Sequence, residues 1–405
     1  MNKLKPALVH LFLALLLGTM IRLAYISCLD PVVHWPDEKD YMQLGINLAQ
    51  GRGYTLEGEP TAFRAPGYPV FLAPWSLIKG WSVTSIRLLH LLVNAVIMLL
   101  VFMLAERFFS EFTAWIAVWI VALYPYYIFL TGTILSELWF ILLLLAATYL
   151  ILLYREKYSK MILLFSGFLM GGCILTRPSA VVLAAAGILW LLCGATVKKM
   201  HVFLFVLSLV LIVLPWMIRN KLVFDTYSLT TNSGRNLWLG NNEHTTLNSG
   251  SDIEMPDKLR HLIENSTEAQ ADLIFKKHAL SFIKDQPLKT VFLWLGKGLA
   301  LWRPDPSPTT GGYTKRGTLI CLASYFSYIP VLLLAVFSWF AADKQKRSIM
   351  RLWFFYAVGF TLLHAVFISK VRFRLPLDVF LIMMAAYGVF IIYKRIFAAH
   401  MYDQK

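Results

Sequence analysis

Ten apolar runs decide what this chain can fold into; they lie near residues 7–27, 86–105, 113–131, 134–154, 161–176, 179–197, 202–218, 318–340, 350–368 and 377–393. A bilayer core about 30 Å thick takes roughly 20 apolar residues of helix to cross. Within it every backbone N–H and C=O has to be satisfied by the segment itself, which favours helices. The chain therefore reads as an all-α polytopic membrane protein with about ten transmembrane helices. Its composition agrees: 58% of residues are hydrophobic and 15% charged, against about 45–50% and about 25% in a soluble domain. The first run follows Lys3 and Lys5 without a clean small-residue cleavage site after it. It reads as a retained signal anchor.

A net charge of +15 would suggest nucleic acid in a soluble chain, but the positions of the basic residues give a simpler account. Under the ten-span count, Lys3 and Lys5, Arg107, Arg155 with Lys157 and Lys160, Lys198 and Lys199, Lys344 with Lys346 and Arg347, and Lys394 with Arg395 all fall on one side. That is the cytoplasmic side by the positive-inside tendency, and no nucleic-acid partner is needed. The chain is then a single integral domain over residues 1–405, in the cytoplasmic (inner) membrane, with two long extracytoplasmic segments, 28–85 and 219–317. Cys28, Cys173, Cys193 and Cys321 form no CxxC pair.

In the second segment, Thr267 and Gln270 make a capping box opening a helix over about 268–284, with Leu273, Ile274, His278 and Phe282 at helical spacing. Residues 287–302 are apolar enough to suggest another span. A crossing there would carry Lys344 to Arg347 outside, so this helix is expected along the interface with Trp294 and Trp302 at headgroup depth.

Candidate chemistry gathers on the outer side. Asp37 and Glu38 follow the first span closely, flanked by Trp35 and Tyr41. A carboxylate there is placed to take a proton from an acceptor hydroxyl, and the pair also offers hard oxygens to Mg²⁺ or Mn²⁺. Glu137 stands at the outer end of the fourth span, where an acid needs a partner or a function. Arg372 and Arg374 lie in Lys370–Pro376, read as the short loop between the last two spans, and positive charge in an outer loop calls for an anion. Arginine suits bidentate contact with phosphate. Arg177, in Thr176-Arg177-Pro178, and Arg64, in the first loop, are further cations on that side. No GxSxG, P-loop or strand-linked GxGxxG is present.

Taken in order, Asp37-Glu38, Arg64-Ala65-Pro66-Gly67-Tyr68-Pro69, Leu135-Ser136-Glu137, Thr176-Arg177-Pro178, Pro215-Trp216 with Arg219-Asn220, Gly240-Asn241-Asn242 and Arg372-Phe373-Arg374-Leu375-Pro376 resemble the GT-C membrane glycosyltransferases. The likeness is to bacterial relatives of the protein O-mannosyltransferases and of the lipid A aminoarabinose transferase, in glycosyltransferase family 39 and its neighbours. The resemblance implies a GT-C-like bundle with a long first outer loop carrying juxtamembrane helices, and a second outer segment before the last three spans. It implies a polyprenyl-phosphate-linked sugar as donor, an acceptor met on the outer face, and direct displacement with inversion; the expected acceptor is an envelope glycan or lipid. Carried over, Asp37 is the general base or acceptor-orienting acid, Glu38 its neighbour in acceptor positioning, and Glu137 a second acid of the site. Arg372 and Arg374 hold the donor phosphate, with Arg64 beside them, and Tyr41, Tyr68 and Arg177 bind substrate. No cofactor is required, although the acidic pair leaves room for a divalent cation.

Two departures stand out. Arg64-Ala65-Pro66 replaces the Glu-Lys-Pro usual in the aminoarabinose transferases, and no segment is long enough for the mannosyltransferases' sugar-binding insert. A flippase or exporter of lipid-linked sugars would instead place its charges mid-bilayer, with interrupted helices repeated in two halves. An oligosaccharide ligase or polymerase would share the donor class.

Overall fold

The computed structural model describes residues 6–194, 197–247, 253–304 and 317–402. Lys3 and Lys5 lie outside the described residues. After α1 (Pro6–Ser27), the first loop carries α2 (Pro36–Ala49), a two-stranded antiparallel hairpin of β1 (Thr55–Leu56) and β2 (Glu59–Pro60), and α3 (Gly67–Lys79). There follow α4 (Val83–Phe108), α5 (Glu111–Leu123), α6 (Pro125–Thr131), α7 (Glu137–Lys157), α8 (Lys160–Thr176), a 3-10 turn at Pro178–Ala180, α9 (Val181–Leu192) and α10 (Lys199–Phe224). The second long segment holds α11 (Ser233–Gly240), α12 (Asp257–Glu264), α13 (Glu268–Asp285) and α14 (Pro287–Ala300), and the chain closes with α15 (Gly317–Ala341), α16 (Lys344–Val366) and α17 (Val371–Tyr402).

Seven of these helices are long and apolar enough to cross a membrane, and α5 with α6, bent by 55° to one another, makes eight when the pair is counted as one span. The shorter apolar helices α8 and α9 correspond to the fifth and sixth expected spans. The protein is a multi-pass helical membrane protein, with the expected third span divided between α5 and α6 and the sixth begun by the 3-10 turn before α9.

The bend between α5 and α6 has a covalent cause. Pro125 has no N–H to give, so the helix ends at the preceding turn. The carbonyls left over are taken by a buried arginine of α1: Arg22 donates to Ala122 O at 2.8 Å and to Val121 O at 3.1 Å. Carbonyls without water need such a donor.

Basic residues expected on one side do meet at one face. Arg107 pairs with Glu156 at 2.5 Å, Lys346 Nζ donates to Phe108 O at 2.6 Å, and Arg155 donates to Ser348 Oγ and Trp190 O. The first loop and Arg177 meet at the other end of the spans.

Three details add to the sequence reading or differ from it. The helix after Thr267 runs Glu268–Asp285 behind the expected capping box, but it buries Phe275, Ala279 and Phe282, while Leu273 and His278 are exposed. Glu268 and Asp272 share the buried stripe at the same i, i+4, i+7 spacing. Its anchor is therefore partly polar, which a search for apolar residues passes over. Second, the indoles of Trp294 and Trp302 donate to Asn241 Oδ1 and Thr361 Oγ1, partners that the expectation of an interfacial helix did not name. Third, Lys370–Pro376 is no loop. Helix α17 begins at Val371, with Pro376 inside it. The cost to the helix is one hydrogen bond, to Arg372 O.

Candidate active site at the first-loop face

Helix α2 sets the geometry. Pro36 at its first position and Glu38 at its third are start signals. Glu38 is buried and uses both carboxylate oxygens on backbone: Oε2 accepts from His34 N at 2.7 Å and Trp35 N at 3.2 Å, and Oε1 from Ile134 N at 2.8 Å. It thus ties the start of α2 to the loop preceding Glu137. Arg87 of α4 pins the same two loops, donating to Gly132 O at 2.8 Å and Asp30 O at 2.7 Å. Glu38→Ala would strand three backbone donors and is expected to cost about 1–3 kcal/mol, read from unfolding in detergent. Glu38→Gln, which keeps a capping side chain, is expected to lose less.

Helical spacing then separates Asp37 from Glu38. Residues 37, 40 and 41 share a face, and that face lines a cavity of about 600 Å³ together with Arg64, Glu137, Arg177, Arg235 and Arg372. Arg64 reaches Asp37 Oδ1 at 2.7 Å and Asp40 Oδ2 at 2.8 Å, and Arg372 reaches Asp37 Oδ2 at 2.7 Å. Glu137 Oε1 lies 2.8 Å from Arg177 and 3.8 Å from Arg372. Its Oε2 is buried with no hydrogen-bond partner among the described residues. Three carboxylates and three guanidiniums thus form one continuous string. Its far end is Phe373, 5.3 Å below the Arg177 guanidinium and stacked on His364.

Second-segment elements hold the arginine loop in place. Thr61 and Ala62 donate to Glu268 of α13 at 2.7 and 2.9 Å. Arg219 of α10 donates to Thr61 O at 2.8 Å, and Asn232 to Phe63 O at 2.7 Å. Gly67 is required by close approach: a Cβ there would meet Thr176 N at 2.7 Å, so the start of α3 sits directly on the end of α8, next to Arg177.

The string alters acidity. Burial pushes the Asp37 carboxyl up, but Arg372 and Arg64 outweigh it and hold the group well below the usual carboxylate range. A carboxylate lowered on folding adds stability that is complete above its unfolded value of about 4 and is lost as pH falls through the folded value. The stability gap between wild type and Asp37→Asn is expected to hold from about pH 8 to about pH 5 and to close only in stronger acid, as followed by unfolding curves.

The structure thus brings Asp37, Glu137, Arg64, Arg177, Arg372 and Tyr41 to one cavity and keeps three other sequence candidates from its wall. Glu38 is the backbone clamp just described. Tyr68 is buried, its hydroxyl 2.7 Å from His90 Nε2. Arg374 is fully buried and pairs with Asp378 at 2.9 Å. On a helix, residues two apart point about 200° from each other, so Arg372 and Arg374 cannot share the cavity. Asp40, Arg235, Asn232 and Asn236 line it without having been singled out in the sequence. Asp40 is findable once α2 is taken as starting at Pro36, because it lies one turn from Asp37.

A divalent cation does not fit the acidic pair. All four oxygens of Asp37 and Glu38 are engaged by guanidinium or backbone donors, and among the described residues no group of three His, Cys, Asp or Glu is placed to hold a metal.

Comparison with known proteins places this architecture. Residues 63–218 match the family model described as dolichyl-phosphate-mannose-protein mannosyltransferase, a stretch holding Arg64, Glu137 and Arg177. The apo oligosaccharyltransferase of Archaeoglobus fulgidus superposes with a TM-score of 0.59 at 13% identity, over 99% of this chain and 52% of that one. The same enzyme in complex with an inhibitory peptide and a dolichol-phosphate gives 0.54 at 13% identity, over 98% and 51%. ArnT from Cupriavidus metallidurans bound to undecaprenyl phosphate gives 0.46 at 13% identity, over 94% and 77%. No curated protein sequence matches. The chain therefore shares the fold of the Archaeoglobus fulgidus oligosaccharyltransferase, and it spans about half the length of that enzyme.

Proposed function

We propose that this protein is an inverting glycosyltransferase that moves a sugar from a polyprenyl-phosphate-linked donor to a cell-envelope glycan or lipid, at the extracytoplasmic face of the cytoplasmic membrane. The observation that carries the reading is the meeting of Asp37 with Arg64 and Arg372, and of Arg177 with Glu137, in one cavity at the span ends. Apolar residues of two spans, Val181 and Val182 of α9 and Leu363 of α16, line the same cavity and suit the approach of a lipid. The likeness to an oligosaccharyltransferase described with a dolichol-phosphate supports the donor class.

In this reading the donor phosphate seats against Arg372 and Arg177. The bond between the anomeric carbon and the phosphate oxygen breaks, the acceptor oxygen bonds to that carbon from the opposite side, and the acceptor proton passes to Asp37. The departing polyprenyl phosphate gains charge, which fixed guanidiniums stabilise without reorganising. Glu137 acts as a positioning residue that aims Arg177 and Arg372. A carboxylate engaged by two guanidiniums is a weak base, since the best catalytic pKa lies near the working pH. Donor phosphate drawing Arg372 away relieves Asp37 and raises its pKa, so the base becomes competent once the donor is seated. That order predicts donor binding before acceptor.

The test is reconstitution of the full chain in liposomes with a panel of polyprenyl-phosphate-linked sugars and crude envelope acceptor, measuring release of polyprenyl phosphate. Sugar-dependent release is expected with one donor. Movement of the intact donor across the bilayer without release would make the protein a flippase instead.

A further inference from the structure

Arg235 stands apart from the other arginines of the cavity. Arg64 is answered by Asp37 and Asp40, Arg372 by Asp37 and Glu137, and Arg177 by Glu137. No carboxylate among the described residues pairs with Arg235; its guanidinium lies 5.9 Å from the centre of the Phe63 ring, and the side chain lines the cavity half-buried. Burial and the like charge of Arg64 push its pKa below the ordinary value, against the pull of Asp37 and Asp40. A partly desolvated cation with no directly paired carboxylate is costly, and guanidinium presents five donors in a fork that fits phosphate and carboxylate.

The position is built. Asp272 of α13 accepts from Gly234 N at 2.6 Å and Arg235 N at 3.3 Å, and from Ser233 Oγ at 3.1 Å. This fixes the first turn of α11. Asn232 holds the backbone of Phe63, the residue over which Arg235 lies.

Location selects among anions. Arg177 and Arg372 sit at the ends of α8 and α17, beside the apolar residues of α9 and α16. Arg235 belongs to α11, outside the spans, next to Phe63 and Arg64. Asp37 stands between the two ends, paired with Arg64 on one side and Arg372 on the other. On the reading given above, the lipid-borne phosphate occupies the span end, which leaves the α11 end for what the base deprotonates. We propose that Arg235 anchors an acceptor subsite, and that the acceptor is a sugar bearing a negative group, a phosphate or a carboxylate, near the hydroxyl that receives the transferred sugar.

The experiment uses the full chain in nanodiscs and calorimetric titration of four probes: glucose, glucose 6-phosphate, glucuronate and undecaprenyl phosphate. Wild type is expected to bind at least one of the two acidic sugars about tenfold or more tighter than glucose. Arg235→Gln is expected to erase that preference and Arg235→Lys to restore part of it, with undecaprenyl phosphate affinity changing by less than about twofold and the unfolding midpoint unchanged. The proposal is overturned if neither acidic sugar is preferred over glucose, if Arg235→Gln keeps the preference, or if Arg235→Gln weakens undecaprenyl phosphate instead. A wild type that does not bind undecaprenyl phosphate, or an Arg372→Gln protein that binds it unchanged, would count against the donor reading and not against Arg235.

Discussion

Asp37→Asn protein is expected to insert and reach the wild-type fold, at the lower stability given above, yet to transfer sugar about 10²–10⁴-fold more slowly, the range a positioned general base contributes. The folded state survives because each arginine of the pair keeps a second partner, Arg64 at Asp40 and Arg372 beside Glu137. Donor affinity is expected to hold or to rise, since the change removes the carboxylate that competes with phosphate for Arg372. Loss confined to the rate, with binding intact, is what a base gives. A purely structural role would lower rate and donor binding together. Transfer at the wild-type rate would remove Asp37 from the chemistry.

The second large effect is expected at Arg374 and concerns folding. Arg374 pairs with Asp378 in the fully buried interior, donates to Arg303 O at 2.8 Å and Leu301 O at 3.1 Å, and lies 3.6 Å over the Tyr328 ring. Tyr124 completes the set by donating to Asp378 at 2.9 Å. Removing one partner of a buried ion pair typically costs about 3–5 kcal/mol because the other charge is left uncompensated, whereas replacing both with apolar groups is often tolerated. Arg374→Met is therefore expected to cut the folded yield and lower the unfolding midpoint sharply, and Arg374→Met with Asp378→Leu to recover much of it. Undecaprenyl phosphate binding per folded molecule is expected to stay as it was. A normally stable Arg374→Met protein with weakened lipid binding would return Arg374 to the phosphate site.

The contrast between Arg372 and Arg374 shows where reading a sequence stops. Both arginines are visible, and so is the reason to expect an anion near them. Which of the two faces that anion depends on whether Val371 begins a helix, and a cluster of positive charge before an apolar run looks like a loop. The same holds for Asp37 and Glu38: adjacency suggests joint action, while a helix starting at Pro36 turns one to the cavity and the other to backbone donors. The spans were legible because twenty apolar residues leave few alternatives. Arg235 was not. It sits in an eight-residue helix whose place is fixed by Asp272, 37 positions on along the chain, and no local pattern reports a partner at that separation.

The string of ion pairs also shapes the energetics of the site. Asp37, Asp40 and Glu137 pair with the three arginines Arg64, Arg177 and Arg372, so the cavity rests near neutrality at that end and opens its charge only to a ligand able to displace a partner. A phosphate ester can do this, because guanidinium binds phosphate and carboxylate in the same bidentate manner.

The most direct measurement is a cryo-electron microscopy structure of the full chain with undecaprenyl phosphate in a nanodisc. The account requires the phosphate within hydrogen-bonding distance of Arg372 and Arg177, with the tail leaving past Val181 and Leu363 and the bond between Arg372 and Asp37 opened. Phosphate bound elsewhere, or the bond between Asp37 and Arg372 unchanged with the lipid in place, would contradict it.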